Sequence, residues 1–312
     1  MKKLLIAVLA FAFCANVSLA AKNNAKASPK NQEVAVTVIV MDDDTTGGPD
    51  TNLNNALEQV LGAKIKLETV NRSVALQDPK YQGLDLDFMP LYLIEKTSVV
   101  DEKFGKYIKA GQIKVHNGKV VFEHQTRNGV YANKELRPME LDLYVMSQCP
   151  FGVRAENQII DLMKLGRLPK DLKINLRFIA SEGRDGSINS LHGSAEWEED
   201  VRQIIIREKY PQKLWKYLEI RNKDYRSSLW DRAAEKAGIN PRIFAKYWDF
   251  GLKKLKEDMA QTEEYNISAS PSFIWQGRTV TDLGSLGNIK GLEGFKQNYG
   301  SAAAAQEPQG QC

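Results

Sequence analysis

The sequence predicts two α/β domains, the second interrupted by a helical insertion, and three observations lead there. β-rich runs alternate with amphipathic helical stretches, the pattern of helices packed on a central sheet. The order strand, turn, helix, strand and later X-Pro-strand occurs twice along the chain, as one supersecondary plan used twice. In the second half, residues 195–265 carry helical periodicity and four of the five tryptophans.

The first elements follow from composition and turn chemistry. The run VAVTVIV (34–40) is β-branched and apolar, as in a buried strand. DDDTTGGPD (42–50) is dense in turn formers, and Leu53, Leu57, Val60 and Leu61 follow at helical spacing, closed by Gly62. Residues 64–70 alternate as a second strand, and 88–94 form a third, entered through Pro90. Residues 99–110 are a short helix, and His116-Asn117-Gly118-Lys119 is a hairpin turn. The segment LRPME (136–140) is the joint after which the pattern restarts.

The second half opens with an alternating strand at 141–146, the turn Ser147-Gln148-Cys149-Pro150, and a helix with Val153, Ile159, Ile160, Met163 and Leu165 on its apolar face. The run INLRFI (174–179) is the next strand. In the helical stretch, Glu196, Glu198, Glu199 and Asp200 are read as complementing a helix N-terminus, and Asn240-Pro241 as a cap followed by proline at the first helical position. The run ASPSFIW (269–275) is a strand entered through Pro271, and a helix at 292–299 is expected to close the domain.

Length and charge restrict the function. The chain has 312 residues, 43% of them hydrophobic, enough for two cores. A formal charge of +4 is too balanced for a nucleic-acid surface. Lys2 and Lys3, an apolar run at 4–13 and Ser18-Leu19-Ala20 read as a signal peptide cut before Ala21. That run is shorter than the roughly twenty residues a bilayer requires, and no later segment is apolar enough to cross. The mature protein is therefore expected to be exported, soluble and periplasmic, with a polar leader over 21–33.

Cysteine usage is the sharpest constraint. Cys14 leaves with the signal, so Cys149 and Cys312 remain. Two cysteines make neither a disulfide-stapled scaffold nor a thiolate zinc site, and His116, His124 and His192 are too scattered for a metal site. Cys149 lies between a buried strand and a helix with Pro150 at its first position, where backbone N–H groups and the helix dipole would stabilise a thiolate. Arg154, one turn on, adds to that expectation.

The segment YVMSQCPFG (144–152), the helical insertion and Ser270-Pro271 before a strand together resemble the thioredoxin superfamily. The segment LHGSAE (191–196) with Arg202-Gln203 is similar to the GILT-like thiol reductases, and the insertion to the DsbA-like branch. The resemblance covers about residues 138–300. It implies a cis Pro271, a Ser270 backbone that holds an extended substrate against Cys149, and Pro150 and Phe151 as further substrate contacts. The fold it implies is a tandem of thioredoxin-like domains, 34–135 without cysteines and 138–300 with the inserted helical subdomain. In the first, Met89-Pro90 matches the proline loop and the acidic run stands where cysteines would be. That run lacks EF-hand spacing and is read as a solvated turn.

Gly152 stands where a dithiol motif has its second cysteine, so an internal resolving thiol is missing there. The function expected is monothiol exchange on protein thiols or disulfides, by reduction or isomerisation, with glutathione or a partner protein supplying the second thiol and no other cofactor. Cys312 lies in a tail (301–312) read as disordered. Its plain reading is a free cysteine. A tail typically spanning about 20 Å keeps open a resolving or blocking role, or a link between two chains. The rival function is a redox-inactive peptide-binding chaperone or scaffold. His192 is read as a surface hydrogen-bonding residue and the insertion's aromatic residues as core.

Overall fold

A computed structural model of the chain describes residues 33–42, 48–123, 128–296 and 312. The signal peptide, the leader, most of the acidic run, His124 and residues 297–311 lie outside the described residues. The chain divides into two compact units, at Asn133 and Lys134.

The first unit is a five-stranded sheet in the order β2-β1-β4-β6-β5. Its strands are β1 (Glu33–Val40), β2 (Lys64–Asn71), β4 (Leu91–Glu95), β5 (Lys114–His116) and β6 (Lys119–Phe122). β1 runs parallel to β2 and antiparallel to β4. The alternation of β1 explains its central place. Val34, Val36 and Val38 pack with Leu53 and Leu57 of α1 (Thr51–Leu61) and with Val100 and Phe104 of α3 (Ser98–Lys109). Ile39 points to the other face, with Leu91, Leu93 and Ala75 of α2 (Arg72–Gln77). Gly62 ends α1 at φ 63°, the left-handed conformation its C′ position requires. The third strand of the sequence reading splits at the cis bond Met89-Pro90 into β4 and the short β3 (Phe88–Met89), which pairs with β7 (Gly129–Tyr131). Here α3 falls between the third and fourth strands of the sheet.

In the second unit β8 (Glu140–Val145) runs parallel to β9 (Lys173–Phe178) and antiparallel to β12 (Ser272–Trp275), which pairs with β13 (Thr279–Thr281). The order β13-β12-β8-β9, with the parallel pair at one side, is the thioredoxin-like arrangement. Between β8 and β9 runs α4 (Pro150–Lys164), whose Ala155, Ile159 and Ile160 share a core with Leu141, Leu143 and Val145. The short pair β10 (Ser181–Glu182) and β11 (Ile188–Asn189) leads into the insertion.

The insertion resolves into five helices: α5 (Ser194–Lys209), α6 (Leu214–Arg221), α7 (Trp230–Lys236), α8 (Arg242–Lys246) and α9 (Trp248–Glu264). Trp197, Trp215, Trp230 and Trp248 pack partly buried against the core, and the Arg202 guanidinium lies 4.5 Å from the Trp230 ring centroid. Asp258 of α9 accepts from Arg177 of β9 (3.1 Å), Arg207 of α5 (2.8 Å) and the Phe178 N–H (3.3 Å). That buried carboxylate fixes the insertion to the sheet. Of the closing helix expected at 292–299, the described part holds a 3-10 turn at Glu293–Phe295, after another at Leu286–Asn288, and 297–299 lie outside the described residues. Gly294 packs closely on the chain there, since a Cβ would lie 2.3 Å from the Arg167 carbonyl oxygen.

Candidate functional site around Cys149

Cys149 is the N-cap residue of α4, with Pro150 at the first helical position, and is fully buried. Four features meet there: the end of β8, the start of α4, the loop before β12, and Cys312. The Cys149 and Cys312 sulfurs are joined in a disulfide, with Cα atoms 6.0 Å apart across a sequence separation of 163. The backbone of Cys312 also pairs with Ser270. Cys312 N–H donates to the Ser270 carbonyl (2.9 Å), and Ser270 N–H donates to the Cys312 carbonyl (3.2 Å). This reciprocal exchange is the hydrogen-bonded pair of an antiparallel ladder. The bond Ser270-Pro271 that follows is cis.

Cys312 is therefore neither free nor unplaced, and the plain reading of a cysteine in a disordered tail is corrected. Nothing local in the tail marks it. Its place is a distant loop, where both backbone groups of Ser270 are taken by Cys312. The monothiol reading is corrected with it, since a second sulfur reaches Cys149 from Cys312 and not from position 152.

Gly152 shows why position 152 is closed. It is buried beneath the loop, and a Cβ there would lie 2.6 Å from Ser270 Oγ and 3.3 Å from the Met146 carbonyl. Ser270 Oγ is held in that space by accepting from Met146 N–H (3.0 Å). Gly152→Cys, which would restore the spacing of a dithiol motif, is expected to displace that hydroxyl and destabilise the fold by about 1–3 kcal/mol. Ser270→Ala in the same chain removes the colliding oxygen and is expected to recover part of the loss. Denaturation midpoints of the two single variants and the double variant check this coupling.

In the disulfide form the Cys149 sulfur accepts no helix N–H and lies 3.5 Å from the Ser270 carbonyl oxygen. Arg154, read as a further stabiliser, has its guanidinium 5.4 Å from the Phe151 ring centroid. Pro150 is exposed and Phe151 half-buried at the same helix end, beside the disulfide.

The loop before Cys149 is held by residues assigned another task from sequence. Glu196 and Asp200, one turn apart on α5, were expected to complement a helix dipole, yet both are fully buried. Asp200 accepts from Ser147 N–H (3.2 Å), and Glu196 accepts from Gln148 N–H (3.1 Å). Ser147 Oγ donates to the Glu196 carbonyl (3.1 Å). His192 Nδ1 lies 2.6 Å from Glu196 Oε2, and the His192 N–H donates to Oε1 (3.2 Å). A signal for this was present: positions 196, 200 and 204 share one helical face, and Ile204 marks that face as inward. Among the described residues no three His, Cys, Asp or Glu side chains gather as a metal site.

No family model and no curated protein matches the chain. Solved structures resemble it at a distance. The DsbA disulfide interchange protein of Klebsiella pneumoniae is 18% identical, with a TM-score of 0.34 over 53% of this chain and 87% of that one. The disulfide oxidoreductase DsbA of Proteus mirabilis is 11% identical, with a TM-score of 0.37 over 56% and 92%. The oxidoreductase DsbA of Xylella fastidiosa is 11% identical, with a TM-score of 0.34 over 47% and 81%. What the site can do follows from its own geometry.

Proposed function

We propose that this chain performs protein thiol–disulfide exchange through Cys149, with Cys312 as its second thiol. The observation that carries the reading is double: Cys312 is disulfide-bonded to Cys149, and its backbone pairs with Ser270 as an extended strand would. A cysteine held in this way occupies the place a substrate cysteine would need.

In the dithiol form, the Cys149 thiolate attacks one sulfur of a substrate disulfide. A bond to Cys149 forms and the other substrate thiolate leaves. Cys312 then attacks the Cys149 sulfur, the Cys149–Cys312 bond forms, and the second substrate thiolate departs. Both departing thiolates take protons from water, and the substrate has gained two electrons. A partner dithiol, or two molecules of glutathione, returns two electrons to the pair. Where a substrate thiol displaces Cys149 before Cys312 does, the outcome is isomerisation. Ser270 and Pro271 would hold the substrate strand, and Pro150 and Phe151 would border it.

No helix among the described residues is long and apolar enough to cross a membrane. The test is reduction of insulin disulfides by the full chain with dithiothreitol or glutathione as electron source. Wild-type protein is expected to accelerate it and Cys149→Ser to return it to background. Equal acceleration by Cys149→Ser would overturn the reading and favour a redox-inactive peptide binder.

A further inference from the structure

The segment 191–203, singled out in the sequence, is not used by the exchange steps above, yet it meets the nucleophile's own loop. Its inward face presents Glu196 and Asp200 to the backbone of Ser147 and Gln148, the two residues before Cys149. Burying a carboxylate costs several kcal/mol unless it is paired. Neither of these two has an Arg or Lys partner among the ion pairs of the described residues. Glu199, on the same helix, is different: Arg202 (3.3 Å) and Arg221 (3.2 Å) compensate it.

Both oxygens of Glu196 accept backbone N–H bonds, Oε2 from Gln148 and Oε1 from His192, and Oε2 also lies 2.6 Å from His192 Nδ1. Asp200 is different. Burial holds its carboxyl well above the usual range, against its bonds from Ser147, and its Oδ2 has no partner. The groups around Glu196 are thus His192 on the preceding loop and Asp200 and Glu199 on its own helix. Arg154 of α4 lies against Phe151. The Ser270 carbonyl, 3.5 Å from the Cys149 sulfur, adds an electron-rich contact that a thiolate avoids and a thiol can donate to.

We propose that Glu196 is a positioning residue that sets a buried negative charge against the Cys149 loop, and so biases the Cys149–Cys312 pair toward the disulfide, making it a reductant. This rests on the exchange function proposed above and gives that function its direction. Where Cys149 ionises in the dithiol form, a charge that disfavours its thiolate disfavours that form. In the reaction Cys149-SH + Cys312-SH + RS–SR′ → Cys149–Cys312 + RSH + R′SH, electrons then flow from this protein to the substrate.

The test uses the full chain with Glu196→Gln, which keeps an oxygen for Gln148 N–H and removes the charge. Glu196→Asp, which keeps the charge, serves as the conservative rescue. His192→Lys sets a fixed cation beside Glu196 at a half-buried position, and carries the test should Glu196→Gln not fold. Two quantities are read: the pH inflection of Cys149 alkylation in a Cys312→Ser background, and the equilibrium of the Cys149–Cys312 pair with glutathione. Glu196→Gln and His192→Lys are expected to move the inflection down by about one unit and, at a pH above both inflections, to make the pair about tenfold easier to reduce, some 30 mV. Glu196→Asp is expected to stay near wild type. Unchanged inflection and equilibrium, with only a lower melting temperature, would leave Glu196 a structural group and overturn the proposal. If the wild-type pair never equilibrates with glutathione, the exchange function fails and this proposal falls with it.

Discussion

Cys312→Ser is expected to leave Cys149 able to attack substrate disulfides but unable to let them go. Mixed disulfides between Cys149 and substrate should accumulate as reducible bands on non-reducing gels. Insulin reduction without added glutathione should fall at least about tenfold, and glutathione should restore part of it by acting as an outside resolving thiol. The same change removes a cross-link that closes a 163-residue separation. In the chain-entropy view such a link stabilises by up to about 5 kcal/mol. The guanidinium midpoint of the oxidised protein should therefore drop on Cys312→Ser, and reduction of wild type should reproduce most of the drop. Unchanged midpoints with no trapped adducts would show that Cys312 does not work with Cys149.

Glu156→Gln should raise stability, and only above acidic pH. Glu156 sits fully buried on α4, accepts one bond from Asn222 Nδ2 (2.8 Å), and leaves Oε1 without a partner. Burial pushes its carboxyl from 4.5 up to about 8, against the Asn222 bond, and the charge of Glu199 adds to the rise. The native state therefore holds a proton that the unfolded chain releases near 4.5. Stability from this group is complete below that value and is lost as pH climbs through about 8. At about 1.4 kcal/mol per unit, as much as roughly 5 kcal/mol is lost across that window. Glutamine keeps the acceptor for Asn222 and carries no proton to lose. Urea midpoints of the variant and wild type should coincide near pH 4.5 and separate by pH 8, with the variant higher. Equal midpoints at pH 8 would contradict the burial of an uncompensated acid. Asp200, shifted in the same direction by burial, leaves a residual slope of the same sign.

Much of this architecture was legible in the residues, because local rules and tertiary demands agree there. The β-branched run at 34–40 and the alternation at 141–146 became the interior strands β1 and β8, and Asn117-Gly118 became the turn between β5 and β6. Cys149 and Pro150 marked the loop where the sulfur sits, and Ser270-Pro271 marked the edge facing it. What was hidden depends on long-range partners. Cys312 has no local pattern, and only the backbone of Ser270 shows what it pairs with. Gly152 looked like a missing cysteine, whereas the structure makes it a space taken by the Ser270 hydroxyl. Glu196 and Asp200 looked like dipole partners because acidic residues near a helix start usually are. Their burial is set by Ile204 and Ile205 on the same helix, which turn that face inward.

Whether Cys312 is the working partner of Cys149 is decided by peptide mapping by mass spectrometry of the oxidised protein, with thiols blocked before digestion, repeated after titration with reduced and oxidised glutathione. One peptide pair joining residue 149 to residue 312 within a single chain is expected, lost and regained reversibly along the titration. A blocked free Cys312, or a 312–312 link between two chains with Cys149 unpaired, would contradict it.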